Sequence, residues 1–285
     1  NEPEGPEIDG PEVTEPRLQD TDLPKLGEKH EGVNGYTMAE KAQPFVQGEG
    51  DAMDISPYDV KQGALGDCYL MAGMAATARA NPESIRRIVK DNGDGTFDVT
   101  LFLKDNYWSD PKPWTTTVDA RLPMQNGSPL YAAYGSRTAD ADELWPALLE
   151  KALAQRTGSY EFIRGSKVGS QGKVSFSGAS ELFTGKPVNR ITPSSMADDA
   201  LLTAIQDGLT SNKPVQAGVK TFEEGASELA EAKAKNVIGN HAYAIESVDL
   251  VAKTINLQNP WGMRHVVALP VKDFKRWYTG VQIGQ

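Results

Sequence analysis

A single cysteine, Cys68, in a chain of 285 residues excludes an internal disulfide, so the thiol is structural, reactive or half of an intermolecular bridge. Basic side chains are short in number: 29 Lys and Arg stand against 39 Asp and Glu, a net charge of -10, which removes the electrostatic footprint of a nucleic-acid binder. No run of about eighteen apolar residues occurs, so no membrane span is expected. Asn1 opens the chain without an initiator Met or an apolar leader, as expected of a piece of a longer polypeptide with further domains. A cytoplasmic setting is the working expectation, with the address itself outside this stretch. What is present is ordinary for a soluble globular protein, with 39% apolar and 24% charged residues and ample length to bury a large core.

The first fifty residues carry Pro3, Pro6, Pro11, Pro16, Pro24 and Pro44 among acidic and glycine residues, without a sustained apolar period. Residues 1–50 therefore read as an acidic linker or N-terminal extension, too poor in apolar groups to offset the entropy of ordering the backbone. Residues 68–80 (CYLMAGMAATARA) are small or apolar almost throughout and predict a helix buried on most of its circumference, stopped by Asn81-Pro82. Alternation of Phe97, Val99, Leu101 and Leu103 predicts a strand, entered through the turn Asn92-Gly93-Asp94-Gly95. That acidic turn fails the spacing of a calcium-binding EF-hand loop, because Gly95 comes too soon and no Glu closes it. A second β-rich run covers 114–122, and 142–154 reads as an amphipathic helix with Pro146 in its first turn. Residues 158–178, rich in Gly and Ser, suit an exposed connection. A helix over 197–207 and strands near 214–220, 241–249 and 253–258 complete an α+β pattern.

Cys68 follows Gly66-Asp67 at the start of the buried helix, where unpaired N–H groups and the positive dipole end favour thiolate. A lone cysteine is otherwise a small buried apolar residue. His241, one of three histidines, stands where a Gly-Asn turn enters a strand, a stiff mounting suited to a general base. Asn259 follows the next strand and precedes Pro260-Trp261-Gly262; it can accept from one imidazole nitrogen while Trp261 shields the bond. A cysteine at a helix start, then a histidine and an asparagine far downstream, is the chain order of papain-like proteases.

The segment from Asp59 to Leu70 (DVKQGALGDCYL) resembles the active-site segment of the calpain family of cysteine proteases, and 239–243 and 258–262 resemble that family's histidine and asparagine motifs. Val118 to Pro123, Glu143 to Ala152, Gly158 to Glu161 and Phe183 to Gly185 match in order between them. The resemblance spans about 54–265. It implies a papain-like pair of lobes, expected at 51–165 with the Cys68 helix and 166–285 with an antiparallel sheet carrying His241 and Asn259. It implies a cysteine-type endopeptidase acting on protein or peptide through a thioester, with Cys68 as nucleophile, His241 as base, Asn259 as orienter and Gln62 as oxyanion donor. The chemistry requires no cofactor. Conventional members bind calcium in this core, but no ligand set maps onto this chain. Tyr69 stands where tryptophan is usual, and Asn240 where glycine precedes the histidine. Other acyl transfers on the same triad, deamidation or transglutamination, and an inactive protease fold used for binding are the alternative functions.

Overall fold

The computed structural model describes residues 18–26, 33–106, 108–165, 167–170, 172 and 174–285. Its centre is the helix Cys68–Ala80, in which every residue from Leu70 to Ala78 is buried. Small side chains allow this. A Cβ on Gly73 would stand 2.4 Å from the Cβ of Ala179, so glycine lets the short helix Ala179–Thr184 lie directly against the central one. The helix Trp145–Thr157 packs on the same core and is buried along most of its length. A three-stranded antiparallel sheet, Val89–Asp91, Thr96–Leu103 and Lys112–Asp119, supplies Phe97, Val99 and Leu101 to it. In the predicted turn, Asp94 accepts from the Thr96 backbone at 3.1 Å and closes the hairpin.

The other half is a six-stranded antiparallel sheet, in the order Val266–Pro270, Thr254–Gln258, Ala242–Asp249, Val215–Val219, Tyr278–Gly284, Val188–Ile191. It has its own apolar core, built with the helices Asp198–Thr210 and Val271–Trp277 around Leu201, Ile205, Leu257, Phe274 and Trp277. The strands expected near 214–220, 241–249 and 253–258 form as read.

Three boundaries differ from expectation. Val33–Met38 is a strand paired with Arg121–Gln125, and Ala39 and Val46 are buried, so the expected extension gives way to folded structure from residue 33 onward. Residues 18–26 lie along the same lobe: Tyr36 donates to the Pro24 carbonyl at 2.6 Å and Arg121 to the Leu18 carbonyl at 2.8 Å. The rest of the proline-rich stretch, 1–17 and 27–32, lies outside the described residues. The division between lobes also falls later than residue 166, because Val174, Leu182 and Phe183 belong to the first core. Finally, the Trp145–Thr157 helix starts after Asp142–Glu143, which instead pairs in parallel with Ala42–Gln43.

Candidate active site

A cleft of about 680 Å³ lies between the lobes. Gln62, Gly66, Cys68 and Tyr69 line one wall, and Gly218, Asn240, His241 and Trp261 the other. Gly63 fixes the approach to Cys68: any Cβ there would stand 1.8 Å from the Tyr131 carbonyl oxygen, so only glycine passes. Main-chain bonds finish the alignment, with Gln62 N–H donating to Pro260 O at 2.8 Å across the cleft and Ala64 N–H to Leu130 O at 2.9 Å.

Cys68 is the first residue of its helix and is partly exposed. Here the structure corrects an expectation. Helix position alone predicts a depressed thiol pKa, but burial pushes the Cys68 thiol up to about 11, and the adjoining Asp67 charge adds to the rise. The backbone N–H groups of Ala242, Tyr69 and Cys68 act in the opposite direction. Burial likewise holds His241 below the usual imidazole range, against the support of Asn259. Both shifts favour the uncharged forms, a thiol and a neutral imidazole.

His241 enters the strand Ala242–Asp249 after Asn240, whose φ of 51° makes the turn. Its Nε2 lies 2.9 Å from Asn259 Oδ1. An amide oxygen only accepts, so Nε2 carries the proton and Nδ1 is the basic nitrogen. Asn259 is fully buried; its Oδ1 also accepts from Trp261 N–H at 3.0 Å, and its own N–H donates to His265 Nδ1 at 3.1 Å. The Trp261 ring covers the imidazole at a centroid separation of 4.9 Å. His265 is thus a support that sequence reading missed; among three histidines its only signal was a place six residues beyond Asn259.

Gln62 reaches the cleft wall, but both hydrogens of Nε2 are engaged, on Leu65 O at 2.7 Å and Asp67 Oδ1 at 3.1 Å. Its Oε1 is buried without a partner. In the resting state no Gln62 hydrogen is left over for an oxyanion.

The lobes are tied beneath the cleft. Gln258 Nε2 donates to Pro57 O at 2.6 Å, Arg79 donates to Gln258 Oε1 at 2.8 Å, and Arg79 pairs with Glu246, which also accepts from Tyr58. Among the described residues no group of three or more His, Cys, Asp or Glu is arranged to hold a metal ion. The buried acids Asp59 and Glu143 spend their oxygens on Val46, Ser56, Ser136 and Trp145 donors.

A profile described as calpain family cysteine protease matches residues 39–279. The chain belongs to the calpain family. It is 29% identical to the calpain-2 catalytic subunit of Gallus gallus over 210 residues, 72% of this chain and 28% of that protein. Against calpain-A of Drosophila melanogaster the identity is 29% over 245 residues, 81% of this chain and 26% of the relative. Calpain-8 of Homo sapiens is 29% identical over 213 residues, again 72% of this chain and 28% of the relative. The chain thus spans little more than a quarter of these calpains. The mixed helix-and-sheet architecture is that of the calpain protease core, a papain-like α+β fold. Among the described residues, no helix of this calpain-family chain is long and apolar enough to cross a membrane.

Proposed function

We propose that this chain is the protease core of a calpain-like cysteine endopeptidase, with Cys68 as nucleophile, His241 as base, Asn259 as its orienter and Gln62 as an oxyanion donor. The observation that carries the reading is the buried His241 Nε2 to Asn259 Oδ1 bond, which leaves Nδ1 basic on a cleft whose other wall presents a thiol at a helix start. His241 Nδ1 takes the Cys68 proton as Sγ attacks the peptide carbonyl. The three N–H groups around Sγ favour the developing thiolate. The Cys68 N–H, in the first helical turn and without an intrahelical acceptor, meets the oxyanion. Gln62 joins it by turning one Nε2 hydrogen away from Leu65 O, a contact made only as the charge appears. His241 then protonates the leaving amine, and water releases the thioester with His241 as base.

Protein or peptide substrates follow from the family, and no cofactor enters these steps. The family match favours peptide hydrolysis over deamidation, transglutamination or a binding-only role. The test is incubation with an unfolded protein, with calcium and with chelator, followed by mass spectrometry. New chain termini that disappear in Cys68→Ala support the reading. Side-chain deamidation without new termini, or cleavage that persists in Cys68→Ala, overturns it.

A further inference from the structure

Asp67 immediately precedes the thiol, yet its side chain makes no capping bond to the helix it introduces. It turns inward to Glu150, on the helix Trp145–Thr157, and the two carboxyls are 0% and 2% exposed. The two carboxyls lie against each other and act on each other's ionisation. The remaining oxygens complete the picture. Asp67 Oδ1 accepts from Gln62 Nε2, and Glu150 Oε2 accepts from Ala132 N–H at 3.0 Å. Asp67 Oδ2 and Glu150 Oε1 are buried and receive no donor from elsewhere in the protein. Two carboxylate oxygens can satisfy each other only through a shared hydrogen.

The titratable groups facing the pair are Cys68 and Tyr69 on the central helix, Tyr160 with the Tyr131 ring tilted against it at 4.4 Å, and Tyr36 on the first strand. No cation is among them. Burial accordingly pushes Asp67 up to about 7 and Glu150 well above the usual carboxyl range.

We propose that Asp67 and Glu150 share one proton and thereby anchor the Gln62 amide, which makes Glu150 a positioning residue for the oxyanion side of the cleft. Glu150 donates to Asp67 Oδ2, and Asp67 Oδ1 then holds one Nε2 hydrogen of Gln62 while the other swings from Leu65 O to the oxyanion. Without the donor, Asp67 is a lone buried carboxylate with an unsatisfied oxygen, and it moves or takes up a proton of its own. In either case the amide loses its fixed end. The kinetic consequence rests on the protease reading; the shared proton does not.

Infrared difference spectroscopy on the inactive Cys68→Ala protein at pH 8 tests the proton directly. A protonated-carboxyl carbonyl band present in that protein and lost in Cys68→Ala with Glu150→Gln is the expected result; a spectrum that Glu150→Gln leaves unchanged overturns the proposal. In the active protein, Glu150→Leu lowers kcat about tenfold with KM within about twofold, less than outright loss of an oxyanion donor. Glu150→Gln restores most of it, since its amide N–H replaces the shared proton. Equal losses of Tm in both variants with kcat and KM untouched would reduce Glu150 to a packing residue. A parent protein that cleaves nothing defeats the protease reading and leaves the infrared result to decide the shared proton.

Discussion

The two lobes bury their side chains by different rules. Among the described residues, the buried Asp, Glu and Lys, namely Asp59, Asp67, Asp119, Asp142, Glu143, Glu150, Lys151 and Glu181, all sit in the first lobe. The second lobe buries only neutral polar groups, Gln216, His241, Gln258 and Asn259, beside its apolar core. A charge removed from water is costly unless paired, and truncating one partner leaves the whole desolvation cost standing. The first lobe is therefore held by interactions that are sensitive to pH and to single substitutions, whereas the second depends on area buried from water. The nucleophile stands on the first and its base on the second, so the cleft joins two bodies of different physical character.

The largest expected effect comes from Lys151, whose side chain is 1% exposed and whose Nζ donates to Asp119 Oδ1 at 2.6 Å, Asp119 O at 2.9 Å and Arg121 O at 2.7 Å. Lys151→Met should destabilise the protein by roughly 3 kcal/mol, because buried Asp119 loses its lysine and keeps only Arg121, while two buried carbonyls lose their donor. Lys220→Met, which removes a half-exposed pairing with Glu228 in the second lobe, should leave the melting temperature almost unchanged. Calorimetry of both variants decides the contrast, and equal losses would erase it.

Next in size is the response to pH. Burial raises Asp59, Asp67 (to about 7), Glu143 (to about 9) and Glu150, so between the unfolded carboxyl range near 4 and these values the folded state holds more protons than the unfolded one. Their stabilising contribution is complete below about pH 4 and is lost as pH rises through neutrality. His241, held low by burial, acts in the reverse sense as pH passes its unfolded value, but it is one group against four. The melting temperature should fall by several degrees from pH 5 to pH 8, with first-lobe amides losing hydrogen-exchange protection before those of the sheet. A melting temperature that climbs across this range would contradict the comparison.

What could be read beforehand follows the same line. Cys68 was legible because a Gly-Asp turn meets an apolar run, and His241 and Asn259 because each sits at the end of a strand with local alternation. Asp67 and Glu150 were visible only as matched motif letters. Their pairing joins residues 83 positions apart through a packed helix, and no local pattern encodes a shared proton. The direction of the Cys68 shift was misread for the same reason: the dipole is a local property, whereas burial against the second lobe is not. The strand Val33–Met38 was hidden by its low apolar content and by a register broken between Val33 and Tyr36, and its partner lies about 90 residues away.

A smaller effect is expected where the lobes meet. Gln258 is fully buried and bonds both Pro57 O and Arg79, so Gln258→Leu leaves a buried carbonyl and a guanidinium short of partners. A loss of about 1–3 kcal/mol is the usual cost of such stranded groups. Because the substitution spares both cores, denaturation should show the lobes separating as distinct transitions. A single sharp transition at the parent midpoint would mean that the cores themselves hold the lobes together.

The smallest expected effect is at Asn240, which has φ 51° and lines the cleft immediately before His241. Asparagine tolerates the left-handed region, and glycine enters it freely but gains more freedom in the unfolded chain, so Asn240→Gly should change stability by less than about 1 kcal/mol. Valine cannot adopt that φ without strain, and Asn240→Val should cost about 1–2 kcal/mol. Neither substitution removes what places the imidazole: Asn240 N–H still donates to Lys220 O at 2.9 Å, Val219 N–H to His241 O at 2.8 Å, and Asn259 still holds Nε2. The glycine variant should therefore leave kcat at the parent value and move KM alone, since only a side chain on the cleft wall has gone. Steady-state kinetics on one peptide substrate, paired with melting curves for both variants, separate the two roles. A fall in kcat for Asn240→Gly would show that the asparagine side chain helps to place the imidazole, and the base would then depend on a third support besides its strand and Asn259.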